Sequence, residues 1–153
     1  MCEVVRTTVA ALWDDPYFDG LVDEYAAESS IEGLPHPKNK RETYEMLESV
    51  GALTVFGAYQ DRHLIGFLTI LLPIMPHYGE VVATTESYFV GADYRKSGAG
   101  LKLLRAAEVF AKEADAQGFL VAAPSGGRLA EVMPKLGYTE SNRVFFRSFM
   151  CTH

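Results

Sequence analysis

Cysteine is nearly missing from this chain. Cys2 and Cys151 stand at opposite ends, and neither belongs to a Cys-x-x-Cys pair. That excludes a disulfide scaffold or a cysteine-built zinc site as an expectation. Long apolar runs are missing too. The longest, Leu64 to Met75, has about half of the roughly 20 residues a membrane span needs, and Pro73 interrupts it. The first residues, Met1-Cys2-Glu3-Val4-Val5-Arg6, lack the basic and then apolar pattern of a signal peptide. The expected setting is therefore the cytoplasm, with no membrane partner. Positive charge is scarce, with 14 Lys and Arg against 20 Asp and Glu and a net charge of −6. This balance argues against a nucleic-acid surface and favours cationic partners. What the chain does have is bulk to bury: eight Tyr, nine Phe and one Trp in 153 residues, 48% hydrophobic. The expectation is a single folded domain spanning residues 1–153.

No repeat or linker divides the sequence. A short strand comes first, followed by helices. Asp14-Asp15-Pro16 offers a capping Asp and a Pro suited to a first helical position, and Phe18, Leu21, Val22 and Tyr25 continue at helical spacing. Residues 31–37 read as a loop. A second helix is predicted from about Lys40 to Val50, ending at Gly51, with Tyr44, Leu47 and Val50 as its apolar side. Leu53 to Tyr59 and Leu64 to Leu71 then read as a hairpin around a polar turn. Further strands are expected at Val81 to Val90, Phe119 to Ala123 (buried) and Val144 to Phe149. A long helix from Leu101 to about Gln117 carries Leu103, Ala107, Phe110 and Ala114 on its buried side. A last helix holds Leu129, Val132, Met133 and Leu136. The order is mixed α/β, an antiparallel meander followed by a β–α–β unit.

The most informative segment is Arg95-Lys96-Ser97-Gly98-Ala99-Gly100, between a strand and a helix. Glycines there let the chain turn tightly and bring backbone N–H groups to a ligand. The unpaired N–H groups and dipole of the new helix favour an anion at the same spot. Phosphate cradle and tightly packed helix start both fit this pattern. It is not a Walker A loop, since no Gly-Lys-Ser/Thr follows. Nor is it a dinucleotide fingerprint, because position 103 is Leu.

In its context, Val90-Gly-Ala-Asp-Tyr-Arg-Lys-Ser-Gly-Ala-Gly-Leu101 resembles the acyl-CoA-binding motif of the GNAT superfamily of N-acetyltransferases. Val55 to Leu71 is similar to the family's second and third strands, Phe119 to Ala123 to its fifth, and Lys135-Leu136-Gly137-Tyr138 to the end of its last helix. The resemblance implies a mixed, mostly antiparallel twisted sheet with helices on both faces, splayed between its fourth and fifth strands. It implies acetyl-CoA as acyl donor. The backbone of Arg95, Lys96, Ser97, Gly98, Ala99 and Gly100 would hold the pyrophosphate. Phe89 and Val90 would bond the pantetheine arm and polarise the thioester carbonyl. The activity implied is direct attack of a primary amine on acetyl-CoA.

An ammonium with a pKa near ~10 must lose a proton before it attacks. Glu86, four residues before Val90, is the candidate acceptor; the plainer reading is a solvated strand carboxylate. Where family members carry a Tyr that protonates the leaving thiolate, this chain has Met133, followed by Pro134. Water, Ser125 or Tyr88 would then have to serve, or the thiolate leaves unprotonated. Ser125-Gly126-Gly127-Arg128 is a second glycine-rich helix start, read here as a Ser125 cap. Tyr25, Glu28, His36 and Asn142 lie in segments the family uses for the acceptor. Residues 73–79 form a connection long enough to reach an acceptor or a partner chain. His36 and His77 lack metal-ligand spacing, so no metal is expected. The acceptor would be a small molecule or a protein amine. Pairing of two copies through the last strand would make a homodimer. The competing readings are a CoA-binding module without turnover and a nucleotide-phosphate binder sharing only the cradle.

Overall fold

The structure is a computed structural model that describes residues 1–36 and 40–150; Pro37 of the expected loop and Cys151 fall outside them. Five strands form one sheet: β1 (Cys2–Thr7), β2 (Leu53–Gln60), β3 (His63–Leu71), β6 (Ala83–Val90) and β7 (Phe119–Leu120), in the order β1-β2-β3-β6-β7. The first four run antiparallel to their neighbours and β7 runs parallel to β6. The expected β2–β3 hairpin closes on a two-residue turn, Asp61-Arg62, with φ of 50° and 67°. Positive φ at both positions is what the right-handed twist of the flanking strands selects. The connection at residues 73–79 folds into a small hairpin of β4 (Ile74–Met75) and β5 (Glu80–Val81). The strand expected from Val81 is therefore divided, with Val81 in β5 and β6 starting at Ala83.

Helices cover both faces. α4 (Ala99–Glu113) lies on one, where Ala99, Leu103, Ala107 and Ala111 pack on Ile65, Leu68 and Ile70. Four residues apart, these side chains line one stripe, and the alanines let the helix sit close to the sheet. Phe110 of the expected stripe is only half-buried, edge-on to Phe56. The helix ends at Asp115, left-handed at φ 60°, where Asp115 and Ala116 N–H reach back to Lys112 and Ala111. On the other face, α1 (Val9–Trp13), α2 (Phe18–Ser29) and α3 (Arg41–Ser49) cover Val55, Leu64, Phe67 and Phe89, chiefly through Val9, Leu12, Phe18 and Val22. Fully burying one such aliphatic or aromatic side chain contributes about 1.5–3 kcal/mol, so the two layers are the main stabilising feature.

Several elements differ from expectation for identifiable reasons. α1 is short, and its start is fixed by Thr8, whose hydroxyl accepts from Ala11 N–H, and by Glu48 of α3, which accepts from Val9 N–H at 2.9 Å. Asp14-Asp15-Pro16 is the turn between α1 and α2, with Asp15 accepting from Tyr17 N–H. Val50, expected on the apolar side of α3, is 73% exposed. The last helix breaks into α5 (Arg128–Val132) and a tight 3-10 turn, Met133–Leu136, because Pro134 brings no N–H. β7 is shorter than expected and half-buried, since nothing in the sheet lies beyond it. Residues 144–149 form no strand. Their alternation suits one, but a strand needs a ladder partner, and the structure pairs them with none.

Candidate functional site

The register between β3 and β6 jumps from Thr69 opposite Ser87 to Ile70 opposite Thr85, leaving Glu86 as an extra residue in a β-bulge. A bulge turns consecutive side chains toward the same face. Thr69 takes advantage of this. Its hydroxyl accepts from Ser87 N–H (2.9 Å) and lies 2.6 Å from Glu86 Oε2 and 2.7 Å from Ser87 Oγ. A hydroxyl has one proton, so Thr69 donates to the carboxylate and Ser87 Oγ donates to Thr69. The other carboxylate oxygen, Oε1, accepts from Tyr44 OH of α3 at 2.5 Å. Glu86 is thus exposed but held by two donors, while Thr69 and Ser87 beneath it are buried.

Tyr44 and Tyr25, which face this carboxylate, belong to a cluster of aromatic rings. Trp13 packs on Phe18 and Tyr44 at 4.5 and 4.7 Å between centroids, and Phe67 links Phe18 to Tyr25 and Phe89 at 5.5–6.2 Å. Between them is a void of about 20 Å³, room for one water, lined also by Leu12, Val22, Thr69 and Ser87. Trp13 Nε1 is buried and, among the described residues, has no hydrogen-bond partner. Burial and then the Glu86 charge raise the Tyr25 phenol above its ordinary value. The same two causes act on Tyr44, further raised by its bond to Glu86.

Toward the other end of β6 the sheet opens. β6 and β7 pair only at Ala83–Phe119 and Thr84–Leu120, and Ala122 N–H turns instead to the Thr85 hydroxyl, 2.9 Å away. After Val90 and a 3-10 turn (Ala92–Tyr94), Gly98 starts α4 at φ 84°, with open space where a Cβ would stand. Only glycine takes that conformation without strain, and no side chain caps the helix from this position. Ser97 Oγ accepts from Ala99 N–H at 3.2 Å, while the other N–H groups of the first turn have no acceptor within the helix. Lys96 is exposed beside them. With Lys96 alongside and the N–H groups after Ala99 left open, this helix start fits a pyrophosphate.

The site residues expected from sequence fall into distinct arrangements. Tyr25 and Glu86 come together. Arg95 turns its guanidinium away from the helix start: it binds both oxygens of Glu28 on α2 (2.8 and 2.7 Å), donates to the Val90 carbonyl (3.2 Å) and covers the Phe89 ring. Glu28, expected at the acceptor, is thus tied to the expected donor loop. His36 lies 4.0 Å from Asp23 of α2. Asn142 stands exposed in the extended segment, accepting from the Ser141 hydroxyl, and no final hairpin is formed around it. Ser125 does not cap α5, whose N-cap is Gly127 without a side-chain bond. Tyr88 donates to the Gly100 carbonyl, and burial pushes its phenol up to about 12. Met133 is buried, 7% exposed. Sequence reasoning missed Tyr44 and Thr69 as partners of Glu86, and Trp13 and Phe67 as the rings packed on Tyr44 and Tyr25. The one signal for them was an apolar side rich in aromatics.

Family comparison now places this geometry. The model of the acetyltransferase (GNAT) family matches residues 13–138. The chain belongs to that family, as an N-acetyltransferase enzyme. No curated protein matches the sequence. Among solved structures, an aminoglycoside acetyltransferase from an uncultured soil metagenomic sample superposes with a TM-score of 0.74 at 19% identity, covering 97% of each chain. A ribosomal-protein-alanine N-acetyltransferase from Brucella melitensis biovar Abortus 2308 gives 0.73 at 18%, covering 98% of this chain and 100% of the other. Glucosamine-6-phosphate N-acetyltransferase from Arabidopsis thaliana gives 0.74 at 10%, covering 98% and 99%. At such identities the likeness is one of fold, and the three enzymes are named for three different acceptors. GNAT enzymes use acetyl-CoA as acyl donor. Among the described residues no group of three or more His, Cys, Asp or Glu is placed to hold a metal ion, and no helix of this GNAT chain is long and apolar enough to cross a membrane.

The raised phenols generate a pH prediction. A group whose folded pKa lies above its unfolded value of ~10 stabilises the fold below that value and ceases to as pH rises toward the folded pKa. Tyr25, Tyr44 and Tyr88 all have this sign. Stability should fall as pH rises above about 10, and Tyr44→Phe should flatten that fall. Denaturant midpoints across alkaline pH, with tyrosinate absorbance followed in parallel, measure both.

Proposed function

We propose that residues 1–153 form one cytoplasmic acetyltransferase domain that moves the acetyl group of acetyl-CoA to a primary amine, with Glu86 as proton acceptor. The observation that carries this reading is the carboxylate on the β6 bulge, fixed by Tyr44 and Thr69 beside an aromatic cluster. The donor lies along the β6–β7 opening, its pyrophosphate on the backbone of residues 95–100 and its pantetheine arm beside Phe89 and Val90. The amine arrives as an ammonium at Glu86, which takes its proton directly or through water. The free amine then attacks the acetyl carbon, the new C–N bond replaces the C–S bond as the thiolate departs, and the second proton of the nitrogen passes to that thiolate or to water. Holding both reactants in line is the larger part of the catalysis.

The same cluster supports a narrower acceptor class. One carboxylate beside Tyr25 and Tyr44, at the edge of an aromatic cluster, suits a monoamine with an apolar body, whose charge meets ring faces as well as Glu86. A polycation would leave its other charges against rings. The buried Trp13 N–H offers one donor to an oxygen on such an acceptor. α3, which carries Tyr44 and has no buried residue, is the wall that can give to admit it.

Calorimetric titration with acetyl-CoA, followed by a free-thiol assay over monoamines, polyamines, aminoglycosides and lysine peptides, tests the reading. Binding with thiol release, fastest for apolar monoamines, is expected. Binding without release for any amine would favour a module without turnover, the outcome that Met133 in place of an acid makes worth testing. Glu86→Gln should lower turnover by roughly a hundredfold or more with acetyl-CoA affinity unchanged; an unchanged rate would remove Glu86 from this role. Gly98→Glu should abolish acetyl-CoA binding, because it places a charged side chain and a strained φ where the pyrophosphate sits. Normal affinity in that variant would end the cradle assignment.

A further inference from the structure

Arg95 and Glu28 were expected at opposite ends of the site, yet they meet. α2 turns Leu21, Glu24 and Glu28 toward the loop that follows β6, and their spacing of three and four residues puts them on one stripe. A Cβ at Gly91 would stand 3.0 Å from Leu21 and 3.3 Å from Glu24. One turn further along α2, both oxygens of Glu28 take Arg95, at 2.8 and 2.7 Å. The same guanidinium is anchored at the Val90 carbonyl, 3.2 Å away, and over the Phe89 ring at 5.4 Å. Tyr25, three residues before Glu28, packs edge-on to that Phe89 ring at 5.8 Å and faces Glu86. Of the two cations in the loop only Lys96 is exposed beside the helix start; Arg95 is committed to α2.

The loop is also tied together along its length. Tyr94 N–H donates to the Gly91 carbonyl at 2.9 Å, and Ser97 N–H and hydroxyl both donate to the Tyr94 carbonyl, at 3.0 and 2.5 Å. Ala99 N–H then donates to Ser97 Oγ at 3.2 Å. Each turn is bonded to the next, so whatever holds the backbone of residues 95–100 also holds the root of the Arg95 side chain.

We propose that Arg95 is a positioning residue for the acceptor side: its pair with Glu28 ties the seat of Tyr25 beside Glu86 to occupancy of the phosphate loop. The inference rests on the donor seat proposed above. An exposed ion pair holds little alone, but carboxylate, carbonyl and ring contacts on one planar guanidinium select one geometry. With the loop empty, this contact has to order loop and helix together. A nucleotide bonded to the backbone of residues 95–100 orders the loop first, and the same contact then orders only α2. Two ordering steps that share a contact are coupled, and completing one lowers the entropy cost of the other.

The test places a single fluorine on Tyr25 of the full chain and follows its NMR resonance. The probe is 3′-phosphoadenosine 5′-diphosphate, the nucleotide half of coenzyme A. It fills the cradle but carries no pantetheine or acetyl group that could touch Tyr25. On saturation the Tyr25 resonance should shift and sharpen. Glu28→Ala should lose this response while calorimetry still shows the nucleotide bound; Glu28 is exposed and Ala suits a helix, so the fold is kept. Arg95→Ala should lose the response as fully, and the double variant no more than either, because the two act as one contact. Glu28→Asp, which keeps the charge one carbon shorter, should recover part of it. A response that survives in Glu28→Ala would overturn the proposal. So would its loss in Arg95→Ala alone, which would make the guanidinium a phosphate ligand. Bound nucleotide with a silent Tyr25 in the parent overturns this inference and leaves the donor seat standing, whereas failure of both the nucleotide and acetyl-CoA to bind overturns the two together.

Discussion

The hydroxyl of Thr69 holds the working part of this structure in place, since it accepts from Ser87 N–H, receives the Ser87 hydroxyl proton and gives its own to Glu86. Without it the bulge would leave a buried N–H unpaired, at a cost of about 1–3 kcal/mol. The bulge has a second consequence. Ala83 and Val90 are an odd number of positions apart, yet both pack in the layer beneath α4. Strict alternation would put them on opposite faces. One extra residue restores the match, so the same irregularity that presents Glu86 also lets both ends of β6 bury their apolar side chains. The placement of Glu86 and the packing of β6 are coupled through one skipped register position.

Around that point, the two ends of the site are joined by side chains rather than by backbone. Arg95 connects the start of the α4 loop to Glu28 near the end of α2, and α2 also carries Tyr25 beside Glu86. The aromatic chain from Tyr44 through Trp13, Phe18 and Phe67 to Phe89 ends under the same guanidinium. The loop before α4 and the end of α2 therefore share one set of contacts. An exposed ion pair is weak by itself, but the bidentate geometry and the carbonyl and ring contacts fix where it sits.

Local pattern was enough for the elements that carry their own instructions. The β2–β3 hairpin, the stop of α3 at Gly51, the glycine start of α4 and the family motif from Val90 to Leu101 were all legible. Each depends on a backbone preference or a period within a few residues. Elements that depend on partners were not. α1 is fixed by Glu48, far along the chain, and residues 144–149 alternate like a strand yet pair with no strand among the described residues. Glu86 was legible as a candidate from its place on the strand. Tyr44, Thr69 and Trp13 were not, because nothing in their spacing says which face they share.

By itself, the sequence determined the class of the fold and the place of the glycine-rich helix start, since these follow from periodicity and from residues with special backbone freedom, while the family was legible through the resemblance of Val90 to Leu101 to its motif. Tertiary structure alone decided that Glu86 sits on a bulge held by Thr69 and Tyr44, that Arg95 faces Glu28 instead of the helix start, and that residues 144–149 have no strand partner among the described residues. The physical reason is common to all three. Hydrogen bonds and ring contacts between residues 17 to 67 positions apart are set by register and packing, and a change of one position in register redirects the side chains that follow.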